Sequence, residues 1–240
     1  MRYLARTATG DPLLGGSGMS GTSRTTGETG DSGGFVPLGA AYPEASSVRD
    51  ALPRATDGLR NPAETTAAPV PREGITFGPP LDTPGKLFGI GLNYADHAAD
   101  LSEDPPDEPA SFFKPGTAAT GPGGPIRLPP TEQSERVTAE AELAVVIGRT
   151  CRDVAVDDAD DVIAGYTPVV DVTAEDVLQR NPRFLTRSKS YDTFLVLGPH
   201  IAVPGPGASL DDIEVRTVVN DEVRARNVVA NMHFSPRELV

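Results

Sequence analysis

The sequence predicts a mixed α/β, β-rich fold, and three observations carry that prediction. From Lys86 onward, short apolar runs of strand length recur at intervals, with few stretches long enough for a helix between them. Many of these runs are rich in Val and Ile, side chains that suit a pleated surface. Near the end, Asn220-Asp221 separates two valine-bearing runs, IEVRTVV and EVRARNVV, and that dipeptide favours a tight hairpin turn. No internal repeat is present.

Taken in order, the front third reads as a small N-terminal module over 1–85. Residues 15–34 are Gly, Ser and Thr with almost no apolar side chains, so they are expected to be a flexible insertion. The stretch FVPLGAAYP and then SVRDAL give a short apolar segment and a short amphipathic helix beginning near Ser46 or Ser47. Residues 61–85 are proline-rich and loop-like, a linker to a second domain over 86–240. In that domain KLFGIGLNY reads as a buried strand, ELAVVIG as a second, and DVIAGYTPVVDV as a third after a short acidic helix around Val156–Asp161. FLVLGPHIAV and the hairpin follow. Ser235-Pro236-Arg237-Glu238 has the pattern of a helix start, with Ser at the cap, Pro first and Glu three residues on. A helix begun so close to Val240 is the signature expected of a chain cut inside it.

Charge narrows the partners. The net charge of −13 disfavours nucleic acid and anionic membrane surfaces, and no basic patch offsets it. Lys86, Lys114 and Lys189 are the only lysines, so arginine dominates a carboxylate-rich chain. Such a surface suits a salt-rich cytoplasm, where screening keeps it soluble, and a halophilic origin is expected. The single cysteine, Cys151, excludes an internal disulfide, and no apolar stretch reaches the length of a signal peptide core or a membrane span. The expected compartment is the cytoplasm.

The acidic residues also suggest a site. Glu140 and Glu142 stand two apart at the head of a strand, so both carboxylates share one face. Asp171 closes another apolar run. Three acids at strand ends repel one another unless neutralised, and a hard divalent cation such as Mg²⁺ or Mn²⁺ neutralises an all-oxygen set. Solvent-facing strand ends are the alternative in a chain with 34 acidic residues. His97 and Asp100, at i and i+3 on a helical turn, can form an acid–base pair in which the carboxylate orients the imidazole. The acidic, proline-rich stretch after them reads as a mobile lid or an exposed loop. Lys114 and Lys189, conspicuous in a lysine-poor chain, can hold a carboxylate or an enolate oxygen.

KLFGIGLNYADHAAD, SFFKPGTAATGPGGPIRLP, EAELAVVIG, VIAGYTPVVDVTAED and SKSYDTFLVLGP, in that order, resemble the fumarylacetoacetate hydrolase family from about Lys86 to the end of the sequence. The resemblance implies a β-rich roll in which Glu140, Glu142 and Asp171 hold Mg²⁺ or Mn²⁺. It implies His97 as general base on a segment that closes over the substrate, with Asp100 standing where the family has Glu, one methylene longer. It places Lys189 near the metal and offers Tyr94 and Lys114 as substrate contacts. Two departures are visible: Ala174-Glu175-Asp176 replaces the family's Ala-Arg-Asp, and its later Pro-Gly-Asp and Thr-Gly-Thr-Pro stretches lie past Val240. The implied activity is metal-dependent hydrolysis of a carbon–carbon bond in a small β-dicarbonyl or acylpyruvate-type 2-oxo acid by a homodimer. Isomerisation, decarboxylation or dehydration of a 2-oxo-3-deoxy sugar acid is the alternative on the same fold, and a non-enzymatic, truncated family member is a third.

Overall fold

The structure is a computed structural model and describes residues 1–16, 34–94 and 107–240. It is mixed α/β and β-rich. In chain order the first strands are β1 (Arg2–Arg6), β2 (Pro12–Gly16), β3 (Phe35–Pro37) and β4 (Leu87–Gly91). They are followed by β5 (Ala110–Lys114), β6 (Ala119–Thr120), β7 (Val137–Ile147) and β8 (Ile163–Ala174). The last are β9 (Leu195–Leu197), β10 (His200–Val203), β11 (Glu214–Val219) and β12 (Glu222–Val228). The helices are short: α1 (Leu38–Ala41), α2 (Val48–Ala55), α3 (Glu175–Arg180) and α4 (Leu185–Ser188). The expected acidic helix is a 3₁₀ segment over Val156–Asp161.

The chain divides into two units. The first holds residues 1–82, 145–167 and 198–208. Here β1 pairs antiparallel with both β2 and β10, setting Leu4 opposite Leu14 on one side and Ile201 on the other. Leu4, Leu14 and Ile201 are fully buried, with Val36, Leu38, Ala51 and Leu52 closing the core. α2 earns its place by a complete capping box: the Ser47 hydroxyl accepts from the Asp50 N–H while the Asp50 carboxylate accepts from the Ser47 N–H. Its buried face, Val48, Ala51, Leu52 and Ala55, follows helical spacing. The glycine-rich stretch needs a correction at its start. Gly15 and Gly16 are strand, paired with Tyr3 and Arg2, and a side chain on Gly15 would meet the Phe35 ring at 2.6 Å; residues 17–33 lie outside the described residues.

The second unit holds residues 83–144, 168–197 and 209–240. β8 pairs with β7 and, antiparallel, with β9, which pairs in parallel with β6. Val172, Ala174, Val177 and Phe194 form one buried cluster, and Val169, Leu195 and Leu197 another. β4 and β5 form a separate two-stranded ribbon. The expectation of a fully buried strand there is corrected: alternate residues face opposite ways, so Phe112 is buried while Phe88 and Phe113 are exposed and stack edge to face at 5.0 Å. The hairpin of β11 and β12 turns at Asn220-Asp221, both with positive φ (51° and 64°), the geometry of a type I′ turn. At Ser235 the side chain accepts from the Glu238 N–H and the Glu238 carboxylate accepts from the Ser235 N–H, so the capping bonds form, but over a turn at 236–239 and not the expected helix.

Candidate metal centre

Three strands of the second unit each present a pair of residues two apart, and the site is built from those pairs. β7 supplies Glu140 and Glu142, its partner β8 supplies Asp171 and Thr173, and β5 supplies Phe112 and Lys114. The period of two puts each pair on one face of its strand. Asp171 lies within β8 and not at its end, and is buried. Lys189 comes from the C-cap of α4, close behind Ser188.

Asp171 is clamped by two buried ammonium groups. Lys114 Nζ lies 2.6 Å from Oδ1 and Lys189 Nζ 2.6 Å from Oδ2. The two lysines differ in what else they hold. Lys114 Nζ donates to three backbone carbonyls, those of Val172 (3.1 Å), Lys189 (2.8 Å) and Phe194 (2.7 Å). An ammonium has three N–H donors, so Lys114 is saturated by the backbone. At 2.6 Å it also forms an ion pair with Oδ1, which has no other polar partner. Lys189 Nζ donates to Asp171 Oδ2 and, at 2.9 Å, to Thr173 Oγ1, and it lies 4.8 Å over the Phe112 ring. Two of its donors are thereby placed on oxygen. Burial pulls the Lys114 ammonium below the usual lysine range, and Asp171 opposes that shift.

On β7, Glu142 carries a perturbed carboxyl. Burial pushes the Glu142 carboxyl up to about 8, and the neighbouring charges of Glu140 and Asp171 add to it against Lys189. Tyr94 is buried nearby, its hydroxyl raised by burial and then by Glu142, and its Oη has no hydrogen-bond partner. Asn93 fixes that segment: its side chain donates to the Phe234 carbonyl (3.0 Å) and accepts from the Phe234 N–H (2.9 Å).

Among the described residues no three His, Cys, Asp or Glu side chains are drawn together closely enough to hold an ion as they stand. Glu142 nevertheless feels the charges of both Glu140 and Asp171. The chemistry of the three acids fits a hard divalent cation: an oxygen-only donor set that includes a half-buried Glu142, whose carboxyl burial and acidic neighbours push up to about 8. His97 and Asp100 lie outside the described residues. Thr173, Phe112 and Asn93 are parts of the site that charge-based reading missed, although the first two follow from the same period of two applied to Asp171 and Lys114.

The comparisons decide the family. Residues 86–240 match the model described as fumarylacetoacetate (FAA) hydrolase C-terminal. The chain belongs to the fumarylacetoacetate hydrolase family. An uncharacterized protein of Archaeoglobus fulgidus is 42% identical over 174 residues, 71% of this chain and 66% of its own. The mitochondrial oxaloacetate tautomerase FAHD2A of Bos taurus is 35% identical over 183 residues, 76% of this chain and 58% of its own. This chain therefore spans about two thirds or less of these relatives' lengths. A crystal structure of maleylpyruvate hydrolase from Sphingobium sp. SYK-6, in complex with manganese(II) and pyruvate, is 26% identical with a TM-score of 0.70, covering 99% of this chain and 80% of that one. The family is one of enzymes. No helix among the described residues is long and apolar enough to cross a membrane.

Proposed function

We propose that this chain is a Mg²⁺- or Mn²⁺-dependent hydrolase of a small acylpyruvate-type 2-oxo acid, with Glu140, Glu142 and Asp171 as the metal ligands. The observation that carries the reading is an oxygen-only cluster of the buried Asp171 and the half-buried Glu140 and Glu142, in which burial and the charges of the other two acids raise the Glu142 carboxyl. The manganese and pyruvate of the Sphingobium hydrolase support a metal-dependent reaction on a 2-oxo acid. A divalent ion, when bound, supplies a Lewis acid for the 2-oxo and carboxylate oxygens of the substrate.

The chain's own residues supply the rest. Cleavage adds water to the distal carbonyl and breaks the bond between the carbonyl-bearing fragments. The bonding pair passes to the 2-oxo acid fragment as an enolate, and protonation of its carbon gives the keto acid and a carboxylic acid. Lys189, with two donors fixed on Asp171 and Thr173, offers its remaining N–H to the enolate oxygen. Tyr94 Oη, buried and unpartnered, is the second donor for a substrate oxygen. His97 is the base that activates water, with Asp100 orienting it. Lys114, saturated by carbonyls, is placed in this scheme as the residue that holds Asp171 and not as a substrate contact.

A second reading, keto–enol tautomerisation of a 2-oxo acid, is favoured by the bovine oxaloacetate tautomerase. It uses the same enolate without adding water. Incubating the protein and Mn²⁺ with an acylpyruvate and, separately, with enol-oxaloacetate separates the two: release of pyruvate supports hydrolysis, accelerated ketonisation alone supports the second reading, and inertness toward both overturns the proposal. A homodimer in the cytoplasm belongs to the same proposal, and sedimentation as a monomer would remove the first part.

A further inference from the structure

We infer that Phe112, seated on Gly89, is a positioning residue that aims the Lys189 ammonium. The inference rests on the reading of Lys189 as the group that meets the enolate oxygen. A lysine head on a four-carbon stem has no preferred direction of its own, so something must fix it. Asp171 Oδ2 and Thr173 Oγ1 take two of its donors, at 2.6 and 2.9 Å. The Phe112 ring, with its centroid 4.8 Å from Nζ, bounds the ammonium within the range of cation–π attraction.

The ring is itself immobilised from the backbone. Gly89 and Phe112 are directly opposed across β4 and β5. A Cβ built on Gly89 would stand 2.2 Å from Phe112 Cζ and 2.5 and 2.8 Å from the two Cε atoms. The far edge of the ring therefore occupies the space of the missing side chain, and a glycine with unexceptional φ is required for close approach and not for turning. Phe112 is buried whereas Phe113, its neighbour on the other face, is exposed. The Gly–Phe pair thus places an aromatic face at a point that no mobile side chain defines.

The test uses the three lysines of the chain. Protein carrying ¹³C-labelled lysine ε-carbons gives a resonance from each of Lys86, Lys114 and Lys189. The Lys189 signal, identified by its loss in Lys189→Arg, is expected to be displaced by the ring current of Phe112 from the position of the exposed Lys86. Phe112→Leu is expected to abolish that displacement and to lower kcat about tenfold with KM changed less than about twofold, the split of a group aimed at the transition state. Phe112→Tyr keeps both. Gly89→Ala, which touches neither lysine nor metal ligand, is expected to reduce both partway, and it decides the matter should Phe112→Leu not fold. An undisplaced Lys189 signal in the wild type, or a folded Phe112→Leu protein with wild-type kcat, overturns the inference. Lys189→Met is the separate control: unchanged kcat there would refute the catalytic reading of Lys189, while the displaced Lys189 resonance of the otherwise wild-type protein would still report the seat.

Discussion

Glu142 shows how a single half-buried side chain can set the behaviour of a site. Its carboxyl is raised from 4.5 to about 8, first by burial and then by Glu140 and Asp171. Between those values the folded chain keeps a proton that the unfolded chain has lost. Rising pH therefore favours unfolding across that window, and the destabilisation is complete above about 8. The melting temperature of chelator-treated protein is expected to fall from pH 5 to pH 8, and Glu142→Gln should remove most of that slope; parallel slopes would contradict the assignment. Lys114 makes a complementary prediction. Replacing it with Met leaves three carbonyls and one Asp171 oxygen buried without their cation, at a cost of about 3–5 kcal/mol by urea denaturation. A loss under about 1 kcal/mol would show that the ammonium is not buried as described.

At the scale of elements, much of the local structure is legible because its causes are local. Ser47 and Asp50 announce α2, Asn220-Asp221 announces the hairpin, and the spacing of Glu140 and Glu142 announces a shared strand face. Removing the cap with Ser47→Ala is expected to cost about 1 kcal/mol in chemical denaturation, because the Asp50 N–H loses its acceptor. In the turn, Asp221 holds φ at 64°, so Asp221→Gly relieves a left-handed residue and is expected to be neutral or stabilising by up to about 0.5 kcal/mol. A clear destabilisation would mean that the Asp221 side chain holds the turn. What was not legible is which strand lies beside which. The parallel pairing of β6 with β9, and the return of β10 to β1, join residues far apart in sequence. Alternation fixes the face a residue takes, not the neighbour it meets. Phe112 and Thr173 escaped for a related reason: they carry no charge, and alternation gives their face but not their place beside Lys189.

For the molecule as a whole, the grouping of residues 145–167 and 198–208 with the N-terminal 82 is the feature that linear reading could least supply. A boundary at 85/86 follows composition, whereas the units follow strand pairing, and β7 and β8 each pass from one unit to the other. Charge is the whole-molecule property that sequence does determine. A net charge of −13 is self-repulsion distributed over the folded surface, and unfolding relieves it by moving the charges apart. Salt screens that repulsion, with a Debye length near 10 Å at 0.1 M and about 3 Å at 1 M. Buried pairs such as Asp171 with Lys114 and Lys189 are screened far less and keep their attraction. The balance has one sign: we propose a halophilic protein whose melting temperature rises steeply between about 0.1 and 1 M KCl. The repulsive term weakens there while the core ion pairs persist. Sodium chloride should act as KCl does if screening is the cause, and the rise with salt should persist in a constant background of sucrose, which stabilises by exclusion without screening charge. A melting temperature that is flat or falls with KCl would show that the acidic surface is not what limits stability, and would leave the lysine-poor composition without a physical role in salt adaptation.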